Sequence, residues 1–350
     1  MRRLTQIAVA SLASAALALT ATACGNDSSD DGGSGDKPAA KGAALAYDIG
    51  GRGDLSFNDA AAAGLDKAKA EFKFEGIEQE PTEGESDADK IARLTNLAKK
   101  GYNPVIGVGF VYSKAVTEVS KKFPKTTFGI VDDPAAGPNI ANLLFNEEQA
   151  SYLAGVAAAK TTKTKEVGFI GGVEVPLIKK FEAGFVQGVK DTDKSVNVQV
   201  KYLTQPPDFS GFAKPDLGKE AALGQLDKKA DVIYHAAGGA GNGAIEAAAT
   251  AGKWAIGVDS DQYEAPTLAK FKDKILASAT KDATGAVYNL IKSVQEGKPQ
   301  SGEQRYGLKE NGVGLTDTNP AYKEMTDVVA AVEAAKKAII AGTVTVKTEP

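Results

Sequence analysis

Short apolar segments alternate with longer amphipathic segments from residue 43 onwards. The apolar segments are rich in β-branched residues, which predicts buried strands at 43–49, 104–110, 126–132, 166–172, 196–203, 231–237, 254–259 and 275–280. The segments between them carry apolar residues at three- and four-residue spacing, which predicts helices at 58–74, 87–101, 112–122, 147–160, 177–191, 214–229, 241–252, 282–296 and 320–341. This alternation predicts an α/β protein with parallel sheets and right-handed crossovers.

The length of the pattern and a break within it predict two doubly wound α/β lobes. The chain has 350 residues, and a strand–helix pattern of about 300 residues is more than one such sheet comfortably holds. The break falls near 138–150, where Pro138 begins a short strand-like piece and an alanine-rich helix follows. We expect an N-terminal lobe at 43–145 with a return segment at about 279–318, and a C-terminal lobe at 146–278 with part of 319–350.

Residues 1–23 are typical of an export signal. Arg2 and Arg3 precede a charge-free apolar run at 7–23 that ends in small residues. The run is too short and too rich in alanine to favour a membrane span, so we interpret it as a signal peptide.

The single cysteine, Cys24, follows this signal directly. It resembles the acylated cysteine of bacterial lipoproteins, although Ala21 stands where those proteins prefer leucine. The alternative is a plain signal peptide with a stray cysteine. Residues 25–42 are polar, acidic and rich in glycine and serine, which favours a flexible tether over 24–42. We therefore expect a protein lipid-anchored at Cys24 on the extracytoplasmic face of the cell membrane.

Composition and charge argue against several functions. The chain has 41 basic and 45 acidic residues, a net charge of −4, so it lacks the basic surface that nucleic-acid binding requires. Loss of the two arginines with the signal leaves 39 basic residues against 45 acidic ones, a net charge of −6. One cysteine and one histidine exclude an internal disulfide and the usual zinc sites. Serine–histidine–aspartate catalysis would depend on His235 alone, and we expect no cofactor.

Polar residues follow several predicted strands, where open parallel sheets bind ligands. The turn at 48–60 begins with Asp48 and is rich in glycine, and Ser56 or Asn58 is suited to cap the next helix. Phe57 either faces a ligand or packs as a hydrophobic staple beside that cap.

Two further strand ends carry charged residues, each of which is either a surface group or a ligand-binding group. Asp132 and Asp133 follow the strand at 126–132 and either form a turn or accept hydrogen bonds from a polar ligand. Lys281 follows the strand at 275–280 and is either a solvated surface charge or a donor to ligand oxygens.

A glycine-rich turn after the strand at 231–237 matches the dinucleotide pattern G-x-G-x-x-A at Gly239, Gly241 and Ala244. The pattern is short, lies late in the chain and is common in βαβ units, so we do not favour a dinucleotide. Asp259, at the end of the next strand, is instead suited to the hydroxyls of a sugar. His235 lies within an apolar strand and is more typical of a structural histidine.

Seven segments in order resemble the basic-membrane-protein family, the PnrA-like nucleoside-binding lipoproteins of ABC importers. They are DIGGRGDLSFNDAAAAGL, FGIVDD, FNEEQASYLAG, VGFIGG, AAGGAGNGAIEAA, WAIGVDSDQ and ILASATKD, and the resemblance covers roughly 43–310. It implies the type I periplasmic-binding-protein fold, with a ligand held between two hinged α/β lobes.

The resemblance also implies the roles of individual residues. Two phenylalanines, one from each lobe, would sandwich the base: Phe57, and Phe212 in the segment 211–222. Phe209 competes for the second position, since Gly211 and Lys214 depart from the family segment. Asp132 would meet the base edge, Asp259 and Lys281 the ribose, and the backbone near Gly239 would lie beside it, with Asp48 and Asn58 as further candidates.

The resemblance implies a binding protein, not an enzyme, that delivers a nucleoside, with a purine favoured, to ABC permease subunits. Two alternatives remain open at this point. One is a sugar or autoinducer-type binding protein of the same fold, and the other is a ligand sensor for a membrane signalling partner.

Overall fold

Two six-stranded sheets form the frame of the protein in a computed structural model that describes residues 41–350. The expected signal peptide, Cys24 and nearly all of the 24–42 tether lie outside the described residues. Within residues 41–350 the strands are β1 Ala44–Ala46, β2 Ile77–Gln79, β3 Val105–Gly107, β4 Phe128–Val131, β5 Ile140–Phe145, β6 Glu166–Val173, β7 Asn197–Thr204, β8 Val232–Ala236, β9 Trp254–Asp259, β10 Ile275–Lys281, β11 Gly302–Tyr306 and β12 Val313–Leu315.

Helices connect nearly all of these strands, as the alternating pattern predicts. The α-helices of residues 41–350 are α1 Phe57–Phe72, α2 Asp87–Lys99, α3 Ser113–Lys122, α4 Glu147–Thr161, α5 Pro176–Thr192, α6 Pro215–Asp227, α7 Gly241–Thr250, α8 Ala283–Gln295, α9 Pro320–Glu324 and α10 Thr326–Ile340. The one long helix expected at 320–341 is therefore two helices, interrupted at Met325. None of the helices in this part of the chain combines the length and apolar character needed to cross a bilayer.

Each sheet is the centre of one α/β lobe. The first sheet has the order β11-β5-β4-β3-β1-β2, and its strands are all parallel. The second has the order β12-β10-β9-β8-β6-β7 and is parallel except for the pair β10–β12. The prediction of two α/β lobes is confirmed.

The chain passes between the lobes three times within residues 41–350. It crosses from β5 to α4, from β10 to α8, and from β11 to β12. Helix α8 packs against α1 of the first lobe, while α10 packs against α4 of the second. The boundaries differ from the expected return segment of about 279–318, because residues 279–281 complete β10 and residues 313–315 form β12, both in the second sheet.

Three strands escaped the sequence analysis: β2, β11 and β12. All three lie at sheet edges, where a strand pairs on one side only. Strands β2 and β11 are partly exposed and include polar side chains such as Glu78 and Arg305, so they lack the apolar run that predicts a central strand. Strand β12 is apolar but has only three residues, too few to show a periodic pattern.

Glycines allow an unusually close approach of helices α4 and α5. A Cβ atom added at Gly184 would lie 2.1 Å from the backbone oxygen of Glu148, and one at Gly188 would lie 2.1 Å from that of Tyr152. A Cβ at Gly155 would lie 2.3 Å from the backbone oxygen of Phe185. The glycine content of this helix pair therefore serves packing, at the expense of intrinsic helix propensity.

We expect Gly184→Ala to lower the free energy of unfolding by about 1–3 kcal/mol, the usual cost of overpacking, although alanine is the better helix former. Gly224→Ala in α6 is the matched control, since a Cβ there meets no atom within 4 Å. It should raise stability by about 0.5–1 kcal/mol. Urea denaturation of both variants checks this, and an increase in stability for Gly184→Ala would contradict the close helix contact.

Candidate functional site

A cavity between the two lobes brings together most of the polar strand ends. It encloses about 540 Å³ of atom-free space, including its mouth. Seven of the eight ligand-binding residues predicted from the sequence line it: Asp48, Phe57, Asn58, Asp132, Phe212, Asp259 and Lys281. Because these residues come from both sheets, closure of the lobes assembles the site.

The turn between β1 and α1 is held by Asp54, a residue that the sequence analysis did not select. Its carboxylate accepts from the backbone N–H groups of Ser56, Asn58 and Asp59, at 2.9, 2.8 and 3.1 Å. Asp54 therefore satisfies the backbone N–H groups at the start of α1, whereas Ser56, one of the two expected caps, makes no capping hydrogen bond. The sequence signal for this role is an aspartate just before the helix, in Asp54-Leu55-Ser56.

Both polar atoms of the Asn58 side chain form hydrogen bonds within the same turn. Its Oδ1 accepts from the backbone N–H of Asp48 at 3.0 Å, and its Nδ2 donates to Asp54 at 3.1 Å. Asn58 thus links the backbone of Asp48 to the carboxylate of Asp54 beside the cavity that all three residues line.

Lys281 is buried at the junction of the two lobes and is not a solvated surface charge. Its Nζ donates to Asp132 Oδ2 at 2.6 Å and lies 3.8 Å from Asp259 Oδ1. Burial opposes the charge of this ammonium, but the surrounding carboxylates outweigh it and raise its pKa above the ordinary lysine value. Lys281 is therefore a cation held between one carboxylate of each lobe.

Asp132 and Asp259 have the same backbone conformation at equivalent strand ends. Asp132 follows β4 with φ of 67°, and Asp259 ends β9 with φ of 63°. The left-handed region is uncommon for residues other than glycine, although aspartate tolerates it better than most. Asp132 Oδ1 is buried and has no hydrogen-bond partner among residues 41–350, so it is a free acceptor that lines the cavity.

The two predicted aromatic residues face this cavity from opposite lobes. Phe57 begins α1 of the first lobe, and Phe212 lies in a short turn after β7 of the second. Gly172 leaves room for the Phe212 ring, because a Cβ at this position would lie only 2.5 Å from Phe212 Cδ1. Phe209 does not line this cavity; its ring packs against Phe110, with centroids 6.0 Å apart.

In the glycine-rich turn after β8, the residue that lines the cavity is Gly238 and not the expected Gly239. Gly238 lines the cavity with φ of 52°, whereas Gly239 is buried beside it. A Cβ at Gly239 would lie 3.6 Å from Asp54 Cβ, so Gly239 is packed against the first lobe.

His235 is fully buried, with Nε2 3.0 Å from Gln262 Oε1, and burial lowers its pKa to about 4. It is a neutral structural histidine outside the cavity lining.

Residues 54–56 fasten the first lobe to the second. Ser56 Oγ donates to Asp259 Oδ2 at 2.5 Å, and Asn242 Nδ2 donates to the backbone oxygen of Asp54 at 3.1 Å. Ser260 Oγ donates to the backbone oxygen of Leu55 at 2.9 Å. The Leu55 side chain also packs on an apolar cluster of the second lobe. The lobes are therefore closed around the cavity.

The cavity suits a polar ligand with flat apolar faces. Burial raises the pKa of Asp48 to about 7 and that of Asp54 to about 6, so the Asp48 carboxyl group can donate as well as accept hydrogen bonds near neutral pH. Among residues 41–350, no group of three or more His, Cys, Asp or Glu side chains is arranged to hold a metal ion.

We expect Asp48→Asn to change the pH dependence of stability. The folded protein keeps Asp48 protonated up to about pH 7, whereas the unfolded chain releases this proton near pH 4. The folded state therefore binds more protons between these values, and this group makes wild-type stability fall as pH rises. Relative to wild type, Asp48→Asn should gain roughly 2–4 kcal/mol between pH 4 and pH 8.

Urea denaturation of ligand-free protein across this pH range checks the prediction. Asp273→Asn, at an exposed position, is the control and should run parallel to wild type. A constant difference between Asp48→Asn and wild type would contradict the raised pKa.

Comparison with known proteins agrees with this geometry. Residues 42–348 match the sequence profile of the Bmp family, described as ABC transporter substrate-binding protein PnrA-like. The ABC transporter nucleoside-binding protein BmpA of Lactococcus lactis is 34% identical over 358 residues, covering 97% of this chain and 98% of that protein. An uncharacterized lipoprotein of Pyrococcus horikoshii is 34% identical over 288 residues, covering 78% of this chain and 68% of that protein.

A solved structure has the same architecture. The crystal structure of an ABC transporter solute-binding protein from Aeropyrum pernix aligns with a TM-score of 0.76 and 26% identity, covering 87% of this chain and 93% of that one. The type I periplasmic-binding-protein fold and the family resemblance are both confirmed. The chain belongs to the PnrA-like family of ABC transporter substrate-binding proteins, which bind and deliver a substrate and are not enzymes.

Proposed function

We propose that this substrate-binding protein carries a nucleoside, with a purine favoured, to ABC permease subunits. The observation that carries the proposal is the pair of phenylalanines, Phe57 and Phe212, that line one cavity from opposite lobes. A nucleobase offers two flat π faces, and stacking on an aromatic side chain contributes about 1–3 kcal/mol per base. The relative from Lactococcus lactis that is named a nucleoside-binding protein supports the same ligand class.

The buried ion cluster supports binding of the ribose. Lys281 lies between Asp132 and Asp259, at 2.6 and 3.8 Å, so these three residues form one polar group. Carboxylates accept hydrogen bonds from vicinal hydroxyls, and an ammonium donates to their lone pairs. We therefore assign Asp132 to the ribose together with Asp259 and Lys281, whereas the sequence analysis assigned it to the base edge.

The Asp48 carboxyl group of the β1–α1 turn remains for the base edge. Asp48 lines the cavity beside Asn58, and its raised pKa allows it to donate or accept near neutral pH. Asp54 lines the cavity as well, but both of its carboxylate oxygens already accept hydrogen bonds within the turn. A carboxyl group that can donate or accept matches the mixed donor and acceptor edge of a purine. A neutral nucleoside needs no arginine clamp, which agrees with a cavity whose acidic side chains outnumber its lysine.

We also propose that the protein is exported and anchored through an acylated Cys24 on the outer face of the cell membrane. The signal-like residues 1–23 and the polar segment at 25–42 support this, as does the lipoprotein name of the Pyrococcus horikoshii relative. Lobe closure would present one composite surface to the permease.

Calorimetric titration tests the ligand class. Protein that has been unfolded and refolded to remove bound ligand is titrated with adenosine, guanosine, inosine, uridine and cytidine, and with D-ribose and D-galactose as controls. We expect a nucleoside to bind, purines more tightly than pyrimidines. Binding of a monosaccharide with no response to any nucleoside would favour the sugar-binding alternative and contradict the proposal.

Truncation of the two aromatic residues tests the proposed stacking. We expect Phe57→Ala and Phe212→Ala each to weaken nucleoside affinity by about tenfold or more, because each removes one stacked face. Phe271→Ala is the matched control, a partly buried phenylalanine of the second lobe outside the cavity lining. An unchanged affinity for Phe57→Ala would assign Phe57 to the hydrophobic staple instead.

A further inference from the structure

A second, outer cleft lies between the lobes and adjoins the ligand cavity. Its atom-free space is about 1870 Å³ with the open solvent at its mouth included. The cleft is lined by residues 49–51 and 80–87 of the first lobe and by residues around 207–214 of the second. Ile49 and Phe110 line both the outer cleft and the inner cavity. These shared residues therefore mark the boundary between the ligand cavity and solvent.

Two aromatic side chains meet at this boundary, one from each lobe. Phe110 follows β3 of the first lobe, and Phe209 follows β7 of the second. Their ring centroids are 6.0 Å apart and their planes are tilted by 56°, within the range that aromatic pairs prefer. Phe209 lines the outer cleft but not the inner cavity, so it closes the boundary without lining the ligand space.

The backbone ties each ring to a residue that lines the cavity. Phe110 follows Gly109, where φ is 98° and a Cβ would lie 2.1 Å from Asp48 Oδ2. The backbone oxygen of Phe209 accepts from the N–H of Phe212 at 3.2 Å, within one turn. Phe209 therefore shares a turn with Phe212, and the turn that holds Phe110 packs against Asp48.

We propose that Phe110 and Phe209 form an aromatic gate that retains the bound nucleoside and sets its dissociation rate. The identity of the retained ligand rests on the proposed function, whereas the contact between the two rings does not depend on it. Opening of the lobes must separate the two rings, whereas an incoming ligand meets lobes in which they are already apart. Loss of the ring contact therefore accelerates dissociation and leaves association nearly unchanged.

Stopped-flow fluorescence tests the gate with 2-aminopurine riboside as the probe and excess adenosine as the chase. We expect Phe209→Ala to raise the dissociation rate by about three- to tenfold, with the association rate changed by less than about twofold. Phe209→Leu keeps an apolar contact and should show a smaller increase. Phe271→Ala removes a partly buried phenylalanine of the same lobe and should leave both rates unchanged.

Hydrogen exchange in protein as purified, with any copurified ligand left in place so that the lobes are closed, tests the gate independently of ligand identity. We expect faster exchange over residues 48–58 and 236–240 in Phe209→Ala, but not in Phe271→Ala. If wild type binds none of the nucleosides, the proposed function fails and this exchange measurement decides the gate alone. Unchanged exchange in Phe209→Ala, or an unchanged dissociation rate for bound probe, would overturn the gate.

Discussion

The buried ammonium of Lys281 is the constraint on which the closed structure depends. A buried cation is strongly unfavourable unless carboxylates surround it, and removal of a partner from such a pair typically costs about 3–5 kcal/mol. The partners of Lys281 come from both lobes, Asp132 from the first and Asp259 from the second. Lys281 also ends β10, the strand from which the chain returns to the first lobe. The charge of Lys281 thus links the crossover after β10, the polar residues of the cavity and the closure of the lobes.

Glycines around the site leave space for the side chains that line the cavity. Gly109 leaves space for the carboxylate of Asp48, and Gly172 leaves space for the ring of Phe212. Asp132 and Asp259 have left-handed backbone conformations that direct both carboxylates toward Lys281. Strained strand ends are maintained by rigid central strands and are typical of sites where ligands bind.

The sequence predicts most of the central strands and seven cavity residues because periodicity and strand-end position report burial and location directly. It cannot predict the partners that a strand end finds across the lobes. The sequence therefore leaves Lys281 open between a surface charge and a site residue, and it does not predict the ion pair between Lys281 and Asp132. The roles of Asp54, Phe110 and Gly238 depend on turn geometry. The periodic patterns of helices and strands carry no information about turns. The edge strands β2 and β11 are half-exposed and lack an apolar run, and the edge strand β12 is too short to show a pattern.

A crystal structure of the complex with the tightest-binding nucleoside tests the central claim most directly. We expect the base between the rings of Phe57 and Phe212, with ribose hydroxyls within hydrogen-bond distance of Asp132 Oδ1 and Asp259. We also expect the sugar adjacent to Lys281, at the junction of the lobes. A base stacked elsewhere, or a ribose remote from the Lys281 cluster, would contradict it.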